Sequence, residues 1–591
     1  MKDEQLEIMR HSGAHIMAAA VYKLFPDAKF GIGPAIADGF YYDIELPRTL
    51  IPEDLDNIEK EMNDIVKANL PFEKEVIPKT DAIELFKKAG QDYKVELLEE
   101  MDDGEEVSIY RSGDFVDLCR GPHLESTGEM KVFKLDRIAG AYWRGNEKNK
   151  MLQRVYGLAF ADQRGLDEYL KMREESKQRD HRKLGRELEI FMFSDDVGAG
   201  LPLWLPNGAA MKEELERWGK ETEAKWGYER VSTPFMTKRK LFEISGHVPY
   251  FEDEMYRVQV PGDDKEEYFV KPMNCPFNHL IYKSKIRSYK DLPLRMAEYG
   301  TVARYEQAGA LNGILRPREF TQNDAHIYCT EEQAIDIFVE IIDLHRYYYD
   351  KLGLKNYRIV LELRDPKKKD KYHGKEEMWK KSEELSIAAM KKAKIDYEVV
   401  HEGAAHYGPK MDFKIKSVIG TEYGISTNQI DLYMPERFNL TYKDKDGQDK
   451  LVIVQHRAPL GSDERFIGFL IENFAGKFPL WISPKHAIII PVSEKFNEYA
   501  RKIQEQLAAA GWEKNLQIRI DVDESNESVG KKIRTAEKKK YPYMLVVGDK
   551  EKDSGNLTVR TRDLKEQRQF AAKEFADKLV TNVNDRELKL F

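Results

Sequence analysis

The chain has 591 residues, more than one hydrophobic core usually serves, so we expect several domains. A composition of 41% hydrophobic and 34% charged residues is typical of a water-soluble globular protein, and no apolar stretch approaches the roughly 20 residues of a membrane span. The net charge of −9 argues only weakly against a nucleic-acid partner, because the charge that binds RNA is local. Three cysteines exclude a disulfide framework and the charged N-terminus lacks a signal-peptide core, so we predict a cytoplasmic protein.

The first region, to about residue 180, opens with a helical pattern of apolar residues that ends at Pro26. Mixed α/β segments follow, with strand-like pieces GFYYDIEL and KVFKLDRIAGAYW. A charged helix from Asp167 to Leu188 then indicates a linker. It contains the first of two basic runs, KQRDHRKLGR at 177–186, and the second, KKIRTAEKKK, spans 531–540. An isolated run of this kind is usually the solvated face of a helix.

The second region, about 189–485, is dominated by strand segments such as YRIVLELR and KLVIVQHR, with helices between them. From near Lys485 the elements alternate: strand HAIIIPV, helix NEYARKIQEQLAAAG, strand LQIRIDVD, helix KKIRTAEKKK and strand PYMLVVGD. Such alternation predicts a βαβ domain with a largely parallel sheet. We therefore predict a multidomain protein of the α+β and α/β classes.

Three short segments far apart in the chain each offer one side chain of a type that binds zinc. Cys275 lies in VKPMNCPFNHL, His326 in FTQNDAHIYC and His456 in VQHRAPLGSDERF. One cysteine and two histidines leave a zinc coordination position open, and an open position lets a substrate bind the metal. The sequence therefore predicts a zinc site that takes part in chemistry.

Arginines beside these segments suit a nucleoside triphosphate: Arg304 in VARYE, Arg316 in ILRPREF and Arg465 in DERF. A guanidinium group binds phosphate bidentately and stacks on a base, and the chain has no GxxxxGK[ST] loop to do so instead. Together these segments resemble the catalytic core of class II aminoacyl-tRNA synthetases, and specifically bacterial-type threonyl-tRNA synthetases. The N-terminal ubiquitin-like domain common in bacterial members is expected to be absent, either naturally or by truncation, because the sequence opens at the editing helix.

The resemblance extends over the whole chain and implies four segments. These are an α+β editing domain at 1–166, a linker helix at 167–188, a class II antiparallel-sheet catalytic domain at 189–484 and an α/β anticodon-binding domain at 485–591. Motif 1 corresponds to MKEELERWGKETEAKWG with YERVSTPFM, and implies a homodimer with Pro234 near its interface. Motif 2 corresponds to the span from Arg304 to Tyr328, and motif 3 to GSDERFIGFLIENFAG.

The resemblance also implies roles for the residues of the ATP site. Arg304 would contact the α-phosphate, Arg316 the distal phosphates and Glu306 the adenine amino group. Phe320 and Arg465 would cover the two faces of adenine, and Mg²⁺ would accompany ATP. His247, in SGHVPYF, is the implied proton acceptor in transfer of the aminoacyl group to tRNA.

The need to discriminate among similar amino acids accounts for both a zinc ion in the threonine pocket and a second, hydrolytic site. Zinc bound by the three ligands would take the amino and hydroxyl groups of threonine, which valine cannot match. Asp324 would contact the amino group, and the remaining pocket residues implied by resemblance are Gln322, Tyr407 and Gln429. Serine lacks only a methyl group, a difference worth about 1–3 kcal/mol, so a separate hydrolytic site is expected.

The N-terminal region supplies the candidate for that hydrolytic site. His11 and His15 in HSGAH are one helical turn apart and face the same side, and Cys119 and His123 lie in DLCRGPH. These segments resemble the editing domain of threonyl-tRNA synthetases, and Lys94 and Asp117 match two further positions of it. Two histidines with a cysteine and a third histidine are also a zinc pattern, so a structural or catalytic zinc at this cluster stays open.

The C-terminal region resembles the anticodon-binding domain of class IIa synthetases, with four residues at base-reading positions: Asn526, Arg534, Glu551 and Arg560. Six residues depart from the family pattern without removing a zinc ligand or a motif arginine: Val248, Gln307, Asn312, Glu319, Asn323 and Gly424. The predicted function is that of a threonine–tRNA ligase that also hydrolyses Ser-tRNA(Thr). A divergent, poorly editing paralogue and a non-catalytic RNA-binding regulator are the alternatives, and the intact zinc triad and arginines argue against the regulator.

Overall fold

A computed structural model of the protein describes residues 3–102, 106–146, 148–262, 266–368, 371–418, 420–564 and 567–591. The chain divides into two units, Met1–Glu174 and Glu175–Phe591. Both units combine helices with sheets, and the second unit contains a mixed sheet as well as antiparallel ones, as the predicted fold classes require. Within these described ranges, no helix is both long enough and apolar enough to cross a membrane.

In its described residues, the first unit contains two antiparallel sheets, four α-helices and most of a fifth helix, Gln163–Arg179. The longest helix, Asp3–Leu24, packs its apolar side against the strand Gly39–Glu45 in a common core. The five-stranded sheet consists of Lys29–Phe30, Ala35–Ile36, Gly39–Glu45, Phe133–Tyr142 and Met151–Ala159. The three-stranded sheet consists of Glu73–Pro78, Glu106–Ser112 and Phe115–Leu118. The other helices are Pro52–Ala68, Lys79–Lys88 and Asp92–Glu99.

The linker contains two helices, so the prediction of one continuous helix from Asp167 to Leu188 is wrong. The helices are Gln163–Arg179 and His181–Glu187. Asp180 separates them, because its backbone is non-helical and its side chain accepts a hydrogen bond from the N–H of Arg182. Aspartate favours this capping position over the interior of a helix, and here it starts a new helix.

An eight-stranded sheet carries six of the thirteen predicted residues of the catalytic domain on its strands: Phe320, Gln322, Asp324, His326, Gln429 and His456. Its strands run in the order Glu229–Arg230, Leu294–Ala303, Glu319–Cys329, Ile453–Ala458, Glu422–Asp431, Lys410–Lys416, Arg358–Leu363 and Glu398–His401. Neighbours are antiparallel except for the outermost pair at each end. Four long helices contribute apolar side chains to its core: Pro206–Lys225, Glu331–Lys351, Glu376–Ala393 and Asp463–Phe474.

Shorter elements complete this part of the second unit. Three short helices are Arg239–Ser245, Cys275–Lys283 and Tyr433–Phe438. A three-stranded sheet consists of Met236–Lys238, Glu267–Val270 and Arg257–Gln259. Two strand pairs are Phe191–Met192 with Leu203–Trp204, and Thr441–Lys443 with Asp449–Leu451.

The C-terminal part of the second unit has a mixed sheet. Its strands run in the order Ile520–Val522, Ala487–Pro491, Tyr543–Val547, Asn556–Thr561 and Gln567–Ala571. The first three are parallel, as the βαβ pattern predicts, and the last two are added antiparallel. The helices are Asn497–Ala509, Val529–Lys538, Asp549–Ser554 and Ala572–Asp585. One hydrophobic core continues from the catalytic sheet into this sheet across the expected 484/485 boundary, so that boundary stays a prediction.

Candidate active site

A cleft of about 540 Å³ lies over the eight-stranded sheet. Its lining includes all but two of the predicted residues of the catalytic domain: Cys275, Arg304, Glu306, Arg316, Phe320, Gln322, Asp324, Tyr407, Gln429, His456 and Arg465. The other two, His247 and His326, are buried and do not line it. Segments separated by long stretches of sequence therefore meet at one site.

The register of the sheet brings these side chains together. Phe320, Gln322, Asp324 and His326 alternate along the strand Glu319–Cys329, and alternate residues of a strand point to one face. His326 pairs directly with His456 on the neighbouring strand, and His456 pairs in turn with Gln429. A period-two pattern and a fixed register thus place the two histidines side by side.

Cys275, His326 and His456 form a buried cluster in which one ligand atom of each lies within 4.8 Å of the others. In the described part of the chain, neither ring nitrogen of His326 has a hydrogen-bond partner, which is costly unless a ligand satisfies it. Burial raises the pKa of the Cys275 thiol. Burial alone would lower the pKa of His456, but hydrogen bonds to Asp431 and Cys275 raise it to about 10. A metal cation would displace the proton held here, so the donor set fits zinc.

Asp431 is a buried carboxylate that the sequence did not single out, and it orients His456. One carboxylate oxygen lies 2.9 Å from Nε2 of His456. The other oxygen accepts hydrogen bonds of 2.8 and 2.9 Å from backbone N–H groups at the start of the helix Tyr433–Phe438. A carboxylate held in this way fixes the ring of a metal-binding histidine and raises its basicity.

Asn274 is a second buried residue missing from the prediction, although it directly precedes Cys275. Its amide Nδ2 donates to Asp324 at 3.0 Å and lies 3.4 Å from the side-chain oxygen of Gln322. Gly300 leaves room for this amide, because a Cβ at Gly300 would lie 2.3 Å from Asn274 Oδ1. The close packing fixes the two pocket residues relative to the metal-binding cysteine.

The arginines of motif 2 are held by contacts that leave them facing the cleft. Nε of Arg304 donates to the carbonyl of Pro272 at 3.1 Å, and its guanidinium lies 5.2 Å from the ring centre of Phe320. Arg316 is half-exposed and forms a two-point ion pair with Glu306, with N–O distances of 3.0 and 2.9 Å. A planar cation above an aromatic ring and a second, half-exposed cation suit a base and its phosphates.

Arg465 lies in the first turn of the helix Asp463–Phe474. Its guanidinium donates to the carbonyls of Leu315 and Gly424 at 3.0 and 2.9 Å. These bonds connect motif 3 to the motif 2 loop and to the strand that carries Gly424. Arg465 is therefore fixed in orientation before any nucleotide binds, which lowers the entropic cost of binding.

The predicted threonine pocket contains a short polar chain. The hydroxyl of Tyr407 donates to the side-chain oxygen of Gln429, whose amide donates to Thr427 at 3.2 Å. Burial raises the pKa of Asp324, and a hydrogen bond from the amino group of a substrate would favour the charged form of this carboxylate. The pocket thus offers both charge and hydrogen-bond recognition.

His247, the predicted proton acceptor, lies beside the cleft. Its Nδ1 is 2.7 Å from the hydroxyl of Ser245, and its Nε2 contacts the sulfur of Met273 at 2.8 Å. Burial, with help from Arg304, lowers the pKa of His247 to about 3, so the ring is neutral. Met273 and His406 line the cleft in its place, and His406 was not predicted.

Two departures from the family pattern fit their surroundings. Gly424 lines the cleft, and a Cβ there would lie 2.9 Å from Asp412, whose carboxylate instead binds Lys410 at 2.7 Å. Asn323 is buried and donates to Glu223 at 2.8 Å. An aspartate at position 323 would meet the negative charge of Glu223, so the amide is the compatible side chain.

Four predicted editing residues meet in the first unit: His11, His15, Cys119 and His123, each with one ligand atom within 4.8 Å of the others. The sulfur of Cys119 lies 3.3 Å from Nε2 of His11 and 3.3 Å from Nε2 of His123. The remaining ring nitrogen of His123 lies 3.2 Å from the hydroxyl of Ser12, a residue that the sequence did not single out.

The other two predicted editing residues form a buried ion pair beside this cluster. Lys94 lies 2.6 Å from Asp117, whose other oxygen is 3.5 Å from His15. The hydroxyl of Tyr42 donates to Asp117 and accepts from Lys94 at 2.9 Å, a role that no sequence pattern predicts. The neighbouring charges are therefore balanced within the site.

Burial disfavours the charged form of all three editing histidines. Burial lowers the pKa of His11 and of His15, and it lowers the pKa of His123 to about 2 with help from the two other rings. Burial also raises the pKa of the Cys119 thiol to about 11. The site can therefore accept and donate hydrogen bonds without itself carrying a charge on these four groups.

The four predicted anticodon residues differ in their exposure and in whether their side chains already bind other residues of the protein. Asn526 and Arg534 are exposed, and Arg560 forms an ion pair with Glu537 at 2.7 Å. The carboxylate of Glu551 accepts from Thr558 and from the backbone of Gly548, at 2.8 and 3.0 Å, and caps a helix. Arg534 is thus available to a ligand, whereas Glu551 has an internal role as well.

Family models match three parts of the chain. Residues 256–474 match the tRNA synthetase class II core domain (G, H, P, S and T), and residues 486–582 match the anticodon binding domain. Residues 107–156 match the threonyl and alanyl tRNA synthetase second additional domain. These matches cover the cleft, the C-terminal sheet and the part of the first unit that contains Cys119 and His123.

Curated relatives align over nearly the whole chain. A threonine–tRNA ligase of Dehalococcoides mccartyi strain BAV1 is 46% identical over 99% of this chain and 98% of its own length. Threonine–tRNA ligase 1 of Bacillus subtilis strain 168 is 45% identical over 98% and 89%. The solved RNA binding domain of Cryptosporidium parvum threonyl-tRNA synthetase aligns with a TM-score of 0.63 at 33% identity, covering 68% of this chain and 98% of its own. The chain therefore belongs to the threonine–tRNA ligase family of class II aminoacyl-tRNA synthetases.

Proposed function

We propose that the protein activates threonine with ATP and transfers it to tRNA(Thr). Class II synthetases form an aminoacyl-adenylate and then esterify a tRNA ribose. The observation that carries the assignment is the single cleft that joins the Cys-His-His cluster to the motif arginines. Threonine-dependent exchange of pyrophosphate into ATP tests the first step, and charging of a tRNA(Thr) transcript tests the second.

In activation, the carboxylate of threonine attacks the α-phosphate and pyrophosphate leaves. Arg304 neutralises the phosphate where charge develops, and Arg316 holds the distal phosphates, exchanging its ion pair with Glu306 for them. Phe320 and Arg465 hold adenine between them, and Mg²⁺ accompanies ATP. Positioning and neutralisation of charge supply most of the rate in such reactions.

In transfer, a ribose hydroxyl of tRNA attacks the adenylate and its proton must leave. We keep His247 as the proposed acceptor because its ring lies beside the cleft, and entry of the tRNA end must relieve the burial that lowers its pKa to about 3 before the ring can take a proton. Its Nε2 must first separate from the sulfur of Met273, which lines the cleft. We therefore expect a movement of Met273 when the tRNA end enters.

The buried cluster of Cys275, His326 and His456 is the proposed site of amino-acid selection. Cys275, His326 and His456 would hold one zinc ion, which when bound would offer its open position to the amino and hydroxyl groups of threonine. Asp324 pairs with the amino group, and Tyr407 and Gln429 close the pocket around the side chain. Valine has no hydroxyl, so the groups of the pocket that would bind one stay unpaired. Leaving buried polar groups unpaired costs binding free energy.

Substitution of Cys275 by alanine is expected to remove the single zinc ion per chain. Elemental analysis of the purified protein measures it, with Cys119→Ala as the matched control. Loss of a thiolate ligand lowers affinity for zinc at the site that contains it, so the control should keep its metal. Zinc retained in Cys275→Ala and lost in Cys119→Ala would instead place the metal in the N-terminal cluster.

Each segment of the chain has its own proposed function. We assign hydrolysis of Ser-tRNA(Thr) to residues 1–166, synthesis to 189–484 and anticodon recognition to 485–591, with 167–188 as the linker. Asn526, Arg534, Glu551 and Arg560 are the proposed base-reading residues, because single-stranded loop bases are read by their edges. Exposed Arg534 has the clearest access to such bases.

The protein is expected to be a homodimer of its 68.8 kDa chain. In this family motif 1, here the helix Pro206–Lys225 and the segment after it, builds a two-fold interface. Light scattering at micromolar concentration should return twice the mass of the chain. The mass of one chain under those conditions would contradict the assignment of motif 1.

A further inference from the structure

The two basic runs, 177–186 and 531–540, meet in one cleft of the second unit, although they are far apart in the chain. The cleft has a volume of about 790 Å³. It lies between the two linker helices, the segment after the helix Asp463–Phe474, and the helix Val529–Lys538. Its basic lining residues are Arg179, Lys183, Lys477, Lys538, Lys539 and Lys540, and its acidic ones are Glu175 and Glu187. This local excess of positive charge contrasts with the net charge of −9.

Most of this positive charge has no partner in the described part of the chain. Lys539 pairs with Glu189 at 3.3 Å, and Lys183 donates to the side chain of Gln178. Among the residues that the structure describes, four of the six cationic groups form no ion pair or side-chain hydrogen bond: Arg179, Lys477, Lys538 and Lys540. By contrast, Lys531, on the same helix as Lys538, is paired with Glu527 at 2.7 Å. Unpaired cations gathered in a concave surface attract an extended anion.

We propose that this cleft binds the phosphate backbone of the anticodon stem of tRNA. The proposal rests on the proposed function and adds a binding surface to it. Arg534, the exposed base-reading candidate, and Lys538 are four residues apart on one helix, so they share a face. The cleft therefore begins one helical turn from the surface expected to read the anticodon loop.

An RNA stem suits this surface better than an acidic protein does. Lysine and arginine side chains without fixed partners suit phosphates spaced along a helix, and stems are recognised through their backbone and shape. The lining contains few apolar side chains, whereas the core of a protein–protein interface is rich in them. The two linker helices and the helix Val529–Lys538 would then contact the stem from two sides.

The test compares a triple variant, Arg179→Ala with Lys477→Ala and Lys538→Ala, with the native protein. Binding of a full tRNA(Thr) transcript is measured over a range of salt concentrations, together with binding of a minihelix that lacks the anticodon stem and loop. Lys573→Glu, an exposed residue of the same domain outside the cleft, is the matched control. Threonine-dependent pyrophosphate exchange is followed in all proteins, because it needs no tRNA.

We expect the triple variant to bind full tRNA about tenfold or more weakly, and the slope of its salt dependence to fall by about 0.9 for each phosphate that is no longer neutralised. Minihelix binding and pyrophosphate exchange should stay at native levels. Lys538→Arg alone should keep native affinity because it keeps the charge. Unchanged binding of full tRNA would overturn the proposal, and equal weakening for tRNA and minihelix would overturn its assignment to the anticodon stem. Absence of exchange in the native protein would instead contradict the proposed function itself.

Discussion

Alanine at Arg304 or at Arg465 is expected to lower threonine-dependent pyrophosphate exchange by at least about 10²–10³-fold. Arg304 is the proposed cation next to the reacting phosphate, and Arg465 is the proposed stacking plane on one face of adenine. Each is held by backbone carbonyls and needs no rearrangement to act. Removing either group therefore takes away stabilisation that is already in place when the transition state forms.

Arg437→Ala is the matched control for these variants. This exposed arginine of the same domain bonds to backbone carbonyls of residues 243 and 244 and does not line the cleft. Its exchange rate should be native, and thermal unfolding of all three variants should resemble that of the native protein. Near-native exchange in both Arg304→Ala and Arg465→Ala would mean that ATP binds elsewhere.

The second large effect is expected in the N-terminal domain. His11→Ala combined with His15→Ala should slow hydrolysis of Ser-tRNA(Thr) by about 10²-fold or more, while threonylation stays nearly unchanged. The zinc pocket cannot exclude serine well, since one methyl group is worth only about 10–200-fold, so hydrolysis must correct the error. Ser-tRNA(Thr) should therefore accumulate when serine is supplied. Exposed His401, in the other unit, supplies the control substitution His401→Ala.

The pH dependence of this hydrolysis follows from the lowered pKa values of the three histidines. A base with a lowered pKa is neutral at every pH above that value, and the pKa of His123 is lowered to about 2. Acidification from about pH 8 to pH 6 should therefore cause no loss of rate from protonation of His123. Native hydrolysis by the double variant would show that the cluster does not edit, and a steep loss near pH 6.5 would show that its histidines titrate freely.

Much of the site could be predicted from the sequence, because the register of the sheet brings residues from separate sequence motifs next to each other. Phe320, Gln322 and Asp324, which the family resemblance singled out, alternate with His326 along one strand and so share a face. His456 arrives beside His326 because the next strand pairs with it residue by residue. The types and positions of these residues in the sequence were thus enough to predict that they form one site.

Other features depend on packing that no local pattern reveals. Tyr42, Asp431 and Asn274 are ordinary core or turn residues in the sequence, and only tertiary structure shows that they position Asp117, His456 and Asp324. The break at Asp180 was missed because the charged segment around it has strong helix formers on both sides. The pairing of His247 with Ser245 and Met273 likewise depends on how its loop folds.

The most direct test of the central claim, a threonine-specific zinc site in a class II synthetase cleft, is pyrophosphate exchange measured side by side with threonine, serine and valine. Threonine should support rapid exchange, serine should follow within about 200-fold, and valine should be lower by roughly 10⁴-fold because it has no hydroxyl. Removal of zinc should abolish exchange with all three. Equal exchange with valine and threonine, or exchange that survives complete removal of zinc, would contradict the account.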